Sequence, residues 1–241
     1  LLSLASYFYG PIGAITLGVI TAFAFLLTLW RLEYGVAIIF AELIIGSKGY
    51  LFFMTAGGST LSVRMMLFAA VLAGWLLHLF RTRQGTSFFQ SSLRWWWMIL
   101  GGAVLLGGTI AFLNGNDTGR IVADANAWLF FLLLPLVYDA FKKRGQIMNV
   151  LAVCTAAFTA HLTKVLVVFY MMGHRGFGDD VLTVVYRWIR STGVGELTRL
   201  DSLYRIFFQS QIYVVVAFFI LLWMIAYFLK NRVIFHRPAF T

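Results

Sequence analysis

A chain of 241 residues has the length of one or two soluble domains, but at 61% hydrophobic, 12% charged and with 24 phenylalanines it lacks the material for a soluble surface. A membrane-spanning helix needs ~20 mostly apolar residues to cross ~30 Å of hydrocarbon. The sequence holds six or seven such runs and leaves little for a soluble domain. The formal charge of +10 argues for no nucleic-acid partner, because no nucleic-acid motif accompanies it and the cations fall in the gaps between apolar runs.

The first span is expected over 11–30, closing at Arg31. The second, 34–54, is awkward: the purely apolar part is short, and extending it takes in Glu42 and Lys48. A third covers 61–80, with Arg64 at one end and Arg81 and Arg83 at the other. A fourth, 95–113, follows Arg94 and opens on Trp95, Trp96 and Trp97, an aromatic belt at one interface. The polar turn from Asn114 to Arg120 leads into Asp124-Ala-Asn-Ala-Trp128 and a fifth span, 124–141, interrupted by Pro135. The sixth, 147–172, carries Cys154, His161 and Lys164, and the seventh is 212–229. The lone Cys154 has no partner for an intrachain disulfide and reads as an inert apolar-run residue. The chain opens at Leu1 with neither an initiator Met nor a signal-peptide pattern and closes at Thr241 after a basic cluster, so a fragment of a longer protein is expected.

Charge tests this parity. Loops closing spans one, three, five and seven hold ten cations, those on the other side three, so seven spans place the basic loops in the cytoplasm. The polar stretch 173–211 then lies on the outer face, where long segments cross regardless of charge. Within it Val181, Leu182, Val185, Trp188 and Ile189 recur at helical spacing, with Asp180, Arg187 and Arg190 on other faces, which predicts an amphipathic helix in the interface. A second short helical piece is expected from Leu200 to Phe207.

Four ordered pieces carry a resemblance: Glu42-Leu-Ile-Ile-Gly-Ser-Lys-Gly-Tyr-Leu-Phe52; Leu61-Ser-Val-Arg64; Asp124-Ala-Asn-Ala-Trp128; and Gly195-Glu-Leu-Thr198 followed by Arg205-Ile-Phe-Phe-Gln-Ser-Gln-Ile-Tyr213. Spread over 35–230, their order resembles the O-antigen ligase and O-antigen polymerase superfamily. The resemblance implies an all-α, GT-C-like polytopic helix bundle in the bacterial inner membrane. Such an enzyme takes a glycan from an undecaprenyl-diphosphate carrier and joins it to a glycan or lipid acceptor at the outer face, with no cofactor or metal. It further implies that outer arginines hold the diphosphate and that a histidine or similar group assists the acceptor hydroxyl. Members of that family continue into further spans and a larger outer region, whereas this chain ends at Thr241, so no catalytic motif is carried over.

The diphosphate leaving group gains negative charge as its bond to the sugar breaks, and guanidiniums bind phosphate bidentately. The outer candidates are Arg64, Arg120, Arg175, Arg187, Arg190, Arg199 and Arg205; the plain alternative is that they meet lipid head groups or pair with Asp179, Asp180 and Asp201. Glu196 is a candidate general base, or simply the ion-pair partner of Arg199 at i+3. His174 lies near the same surface but in no motif, and with His78, His161 and His236 makes no cluster. His161 reads as an interior histidine; Glu42 and Lys164 are ionisable groups at membrane depth that face the bundle, or in the case of Lys164 reach outward. Asp124 and Asn126 offer oxygens to a sugar, or Asp124 caps a helix. Two other classes stay open: a lipid or sugar transporter or flippase, against which the lack of an internal repeat weighs, and a membrane subunit whose outer segment docks a partner.

Overall fold

Pro11 in its first turn starts the first long helix with one fewer amide to satisfy, and the apolar run behind it carries the helix to Trp30. The computed structural model describes residues 2–56, 59–83, 85–118, 121, 128, 130–173, 178–200 and 203–235. Its helices are α1 (Leu2–Phe8), α2 (Gly10–Trp30), α3 (Leu32–Gly46), α4 (Val63–Thr82), α5 (Leu93–Leu113), α6 (Leu133–Ala140), α7 (Arg144–Gly173), α8 (Asp179–Ser191) and α9 (Gln211–Phe235). Among the described residues, α2, α4, α5 and α7 are long and apolar enough to cross a membrane. The chain is therefore a mostly helical protein of membrane character.

Two short antiparallel hairpins depart from the all-helical expectation. Strands β1 (Phe53–Ala56) and β2 (Ser59–Ser62) form one, β3 (Glu196–Leu200) and β4 (Leu203–Phe207) the other. The first replaces the end of the 34–54 segment. Helix α3 stops at Gly46 because Ser47 and Gly49 take positive φ, 57° and 87°, and turn the chain out of the helix. Gly49 has a second reason to be glycine: a Cβ there would lie 2.8 Å from the Arg64 Cβ. The second hairpin replaces the helical piece expected over Leu200 to Phe207. In the strand, Leu197 turns inward and is 3% exposed while Glu196 and Thr198 face out, the two-residue period of a half-covered sheet.

The fifth segment contains a 3-10 turn at Phe130–Leu132 and then α6, with residues 122–127 outside the described ones. Pro135 falls in the first turn of α6, where its missing N–H costs no α-helical bond.

One core joins α2, α3, α4 and α6 through Leu17, Val36, Leu67, Val71 and Leu136. Small residues let the helices close on one another: Cβ atoms built at Gly35 of α3 and Gly74 of α4 would both strike Thr28 of α2. Thr28 is fully buried and its hydroxyl donates to Ala24 O at 2.7 Å, so the polar group is satisfied within its own helix. A second core caps one end of the bundle. There Val185, Trp188 and Ile189 of α8 pack with Val168 and Met172 of α7, Leu197 of β3 and Phe208. The apolar face of the expected amphipathic helix is thus covered by protein rather than turned to lipid. Trp188 Nε1 also donates to Ser3 Oγ at 3.1 Å, and Ser3 Oγ donates to Leu51 O at 2.7 Å, tying α8, α1 and the approach to β1 together.

Helix α5 buries none of its residues, and α9 exposes apolar side chains all round, Val215, Phe219, Leu222 and Trp223 among them. Apolar helices with no polar face are at home in hydrocarbon.

Candidate functional site at the capped end

The carboxyl end of α3 would expose its last carbonyls, and it is closed by cations brought from far along the chain. Lys164 of α7 donates from Nζ to Ile45 O at 2.6 Å, with the Phe208 ring centroid 5.2 Å from the same nitrogen. Arg64, in the first turn of α4, donates from Nε to Glu42 Oε2 at 2.8 Å and from Nη2 to Glu42 Oε1 at 3.3 Å. Its Nη2 also donates to Ser47 O. The fork-to-carboxylate geometry is the strongest form of ion pair. Here it is largely withdrawn from solvent, at 20% and 7% side-chain exposure for Arg64 and Glu42.

One turn before Lys164, His161 of α7 is fully buried. Ser210, just before α9, places its Oγ 3.3 Å from His161 Nδ1 and 3.4 Å from Nε2, so the hydroxyl serves one ring nitrogen at a time. The Phe208 ring meets the imidazole edge to face at 5.9 Å. His161 is thus the interior, partnered histidine the sequence suggests. Lys164 faces the bundle and does not reach outward.

Above this layer lies the cap surface. Arg187 and Arg190 are exposed on α8 and Arg205 is exposed on β4. Arg205 is registered opposite Thr198, so it shares the outer face of the hairpin with Thr198 and Glu196. Arg190 donates to the Tyr186 hydroxyl at 2.9 Å. That hydroxyl first, and the nearby Glu196 carboxylate in smaller part, hold the Arg190 guanidinium above its ordinary pKa. Among the described side chains, Arg190 is a cation near Glu196. The helical i, i+3 spacing expected to pair Glu196 with Arg199 does not exist, because both residues lie in a strand. Arg199 is registered opposite Tyr204. Asp179 and Asp180 occupy the first turn of α8, where negative charge complements the helix dipole.

Lys48 is a cation missing from the set singled out in the sequence. It is exposed on the turn after α3, and its stem lies against Gly193, where a Cβ would stand 3.1 Å from Lys48 Cδ. No local pattern joins positions 48 and 193; only the docking of α8 over the end of α3 does so. Arg64 belongs to the same end of the bundle, but Glu42 and Ser47 engage its guanidinium, leaving Nη1 as the nitrogen not used in these bonds. Arg120, Asp124, Asn126, His174, Arg175 and Asp201 lie outside the described residues. Among the described residues no group of three His, Cys, Asp or Glu side chains is placed to hold a metal ion.

The arrangement can bind an anion through exposed guanidiniums and Lys48, with the Glu196 carboxylate near Arg190. Compared with family models, characterised proteins and solved structures, the chain matches none.

Proposed function

We propose that the chain is the membrane portion of a glycan ligase or polymerase of the O-antigen type. It joins a glycan carried on undecaprenyl diphosphate to a glycan or lipid acceptor at the outer face of the bacterial inner membrane. In this reading α2, α3, α4, α5, α6, α7 and α9 are the seven passes of a GT-C-like bundle, α8 and the β3–β4 hairpin lie outside, and the basic loops lie in the cytoplasm.

The supporting observation is the collection of Arg187, Arg190, Arg205 and Lys48 at the capped end of the bundle. The opposite end carries Arg31, Lys142 and the loop cations of the positive-inside pattern. A diphosphate at the membrane surface needs several donors that stay charged at every physiological pH, and arginine supplies them. Glu196, beside Arg190 and exposed, is the group proposed to take the acceptor hydroxyl proton. The ordered resemblance over 35–230 supplies the reaction class.

The test is made in the host. Arg187→Ala combined with Arg205→Ala is expected to shorten or detach the surface polysaccharide while the protein accumulates in the membrane at its usual level. Polysaccharide of unchanged length and attachment, both in this variant and in a deletion of the gene, refutes the reading.

A further inference from the structure

At the uncapped end, the α2–α3 turn, the end of α4 and the α6–α7 turn enclose a cavity of about 300 Å³. Charges of both signs line it: Arg31 and Lys142 on one hand, Glu33 and Asp139 on the other, with His78 and Gln146 between them. The two carboxylates are not equivalent. Asp139 is fully engaged, accepting from Trp75 Nε1 at 3.2 Å, Ser87 N at 3.1 Å and Ser87 Oγ at 2.8 Å, so it braces the wall. Glu33 is 2% exposed, and its Oε1 accepts no hydrogen bond although it is buried. Arg31 Nε comes within 2.8 Å of that oxygen as an ion-pair partner but without hydrogen-bond alignment, and Gln146 Nε2 reaches only Oε2, at 3.5 Å. A buried carboxylate oxygen lacking a donor is costly, and the natural remedy is a ligand that brings an N–H.

Helices α3 and α6 also carry an apolar groove. Val36, Phe40 and Leu43 follow Glu33 along one face of α3, and with Leu134, Leu136 and Val137 of α6 they line a groove of about 350 Å³. Polar cavity and apolar groove on one pair of helices match an amphiphile. The cavity pairs Arg31 with Glu33 at 2.8 Å and Lys142 with Asp139 at 3.9 Å and keeps one buried acceptor, Glu33 Oε1, without an aligned donor, so the head group it suits is zwitterionic, with a protonated primary amine.

We infer that this end of the bundle binds a phosphatidylethanolamine of the adjoining leaflet. Its ammonium donates to Glu33 Oε1, its phosphate lies between Arg31 and Lys142, and an acyl chain runs along the α3–α6 groove. Phosphatidylcholine carries the same phosphate and chains, but its quaternary ammonium has no N–H to give.

The test uses the full chain extracted in detergent. Native mass spectrometry reads which phospholipid is retained, and thermal unfolding reads protection by added phosphatidylethanolamine, phosphatidylcholine or water-soluble phosphoethanolamine. Phosphatidylethanolamine is expected to be retained and to protect over phosphatidylcholine, and Glu33→Gln to lower that preference about tenfold, the worth of one hydrogen bond to a charged group. Leu134→Trp, at an exposed groove position away from the head group, is expected to cut phosphatidylethanolamine retention, and it decides the matter should Glu33→Gln fail to fold. The inference is overturned by equal retention of the two lipids in the unaltered protein. Protection by phosphoethanolamine equal to that by the lipid overturns it too, as does an unchanged preference in Glu33→Gln together with unchanged phosphatidylethanolamine retention in Leu134→Trp.

Discussion

Arg64 and Arg187 are the same residue type at the same end of the molecule, and their surroundings give them different work. Arg64 neutralises Glu42, whose carboxylate is all but removed from solvent. Arg64→Ala leaves that carboxylate buried and unpaired, a change expected to cost about 3–5 kcal/mol of stability. Arg64→Lys keeps the charge but loses the two-pronged contact and should fall between. Arg187 is exposed, so Arg187→Ala should leave stability within experimental error. Denaturant titration of the three variants in one detergent measures this ordering, and an Arg64→Ala protein as stable as Arg187→Ala would refute a structural role for the pair. The sequence marks Glu42 and Lys164 as ionisable groups at membrane depth but cannot pair them. Their partners, Arg64 and the Ile45 carbonyl, lie 22 and 119 positions away. Nothing short of the packing of α3 between α4 and α7 brings them together.

At the scale of elements, α8 poses a choice between lipid and protein for its apolar face. Trp188 is 9% exposed, packs in the capping core and donates to Ser3 Oγ. Trp188→Ala should therefore cost about 3–5 kcal/mol, as for a large core aromatic, and Trp188→Phe about 1 kcal/mol for the lost hydrogen bond. A face resting on lipid would show little loss in detergent with either change, and thermal or denaturant unfolding distinguishes the two. The hairpin beneath α8 makes a parallel demand at Gly195, where a Cβ would stand 2.9 Å from both Phe207 O and Phe208 Cδ1. Gly195→Ala is expected to destabilise by about 1–3 kcal/mol through overpacking.

The long apolar helices were legible because each run is longer than any competing element could use, and α8 because its period is helical across three turns. The hairpins were not. Leu200, Leu203, Ile206 and Phe207 fall at helical spacings as readily as on alternating strand positions, and five residues are too few to separate the two periods. What decides for strands is tertiary: Leu197 and Phe208 have a core to enter on one side only, and the register with β4 supplies the backbone partners. Lys48 stayed hidden for the same reason, since its place beside Gly193 depends on where α8 docks.

For the whole molecule, the decisive quantity is the distribution of charge between its two ends. Arg31 and Lys142 meet Glu33 and Asp139 around one cavity although they come from different segments, and the loop cations of the positive-inside pattern flank it. At the other end, Arg187, Arg190, Arg205 and Lys48 gather on the cap. Both ends are basic, so charge alone does not orient the bundle. Short loops obey the positive-inside bias and long segments do not, so the proposed reading puts the loops holding Arg81, Arg83, Lys142 and Lys143 in the cytoplasm and the cap outside. Single cysteines test this once Cys154 is replaced by Ala. Ser191→Cys and Lys143→Cys both fall at exposed positions, on α8 and before α7. In intact cells of the host, a membrane-impermeant maleimide should label the cysteine at 191 within minutes and reach the one at 143 only after the membrane is broken. Labelling of 143 alone in intact cells would turn the molecule over, move the guanidiniums of the cap to the cytosol and end the case for transfer on the outer face. The lipid inferred at Glu33 would then belong to the opposite leaflet, with its head-group chemistry unchanged.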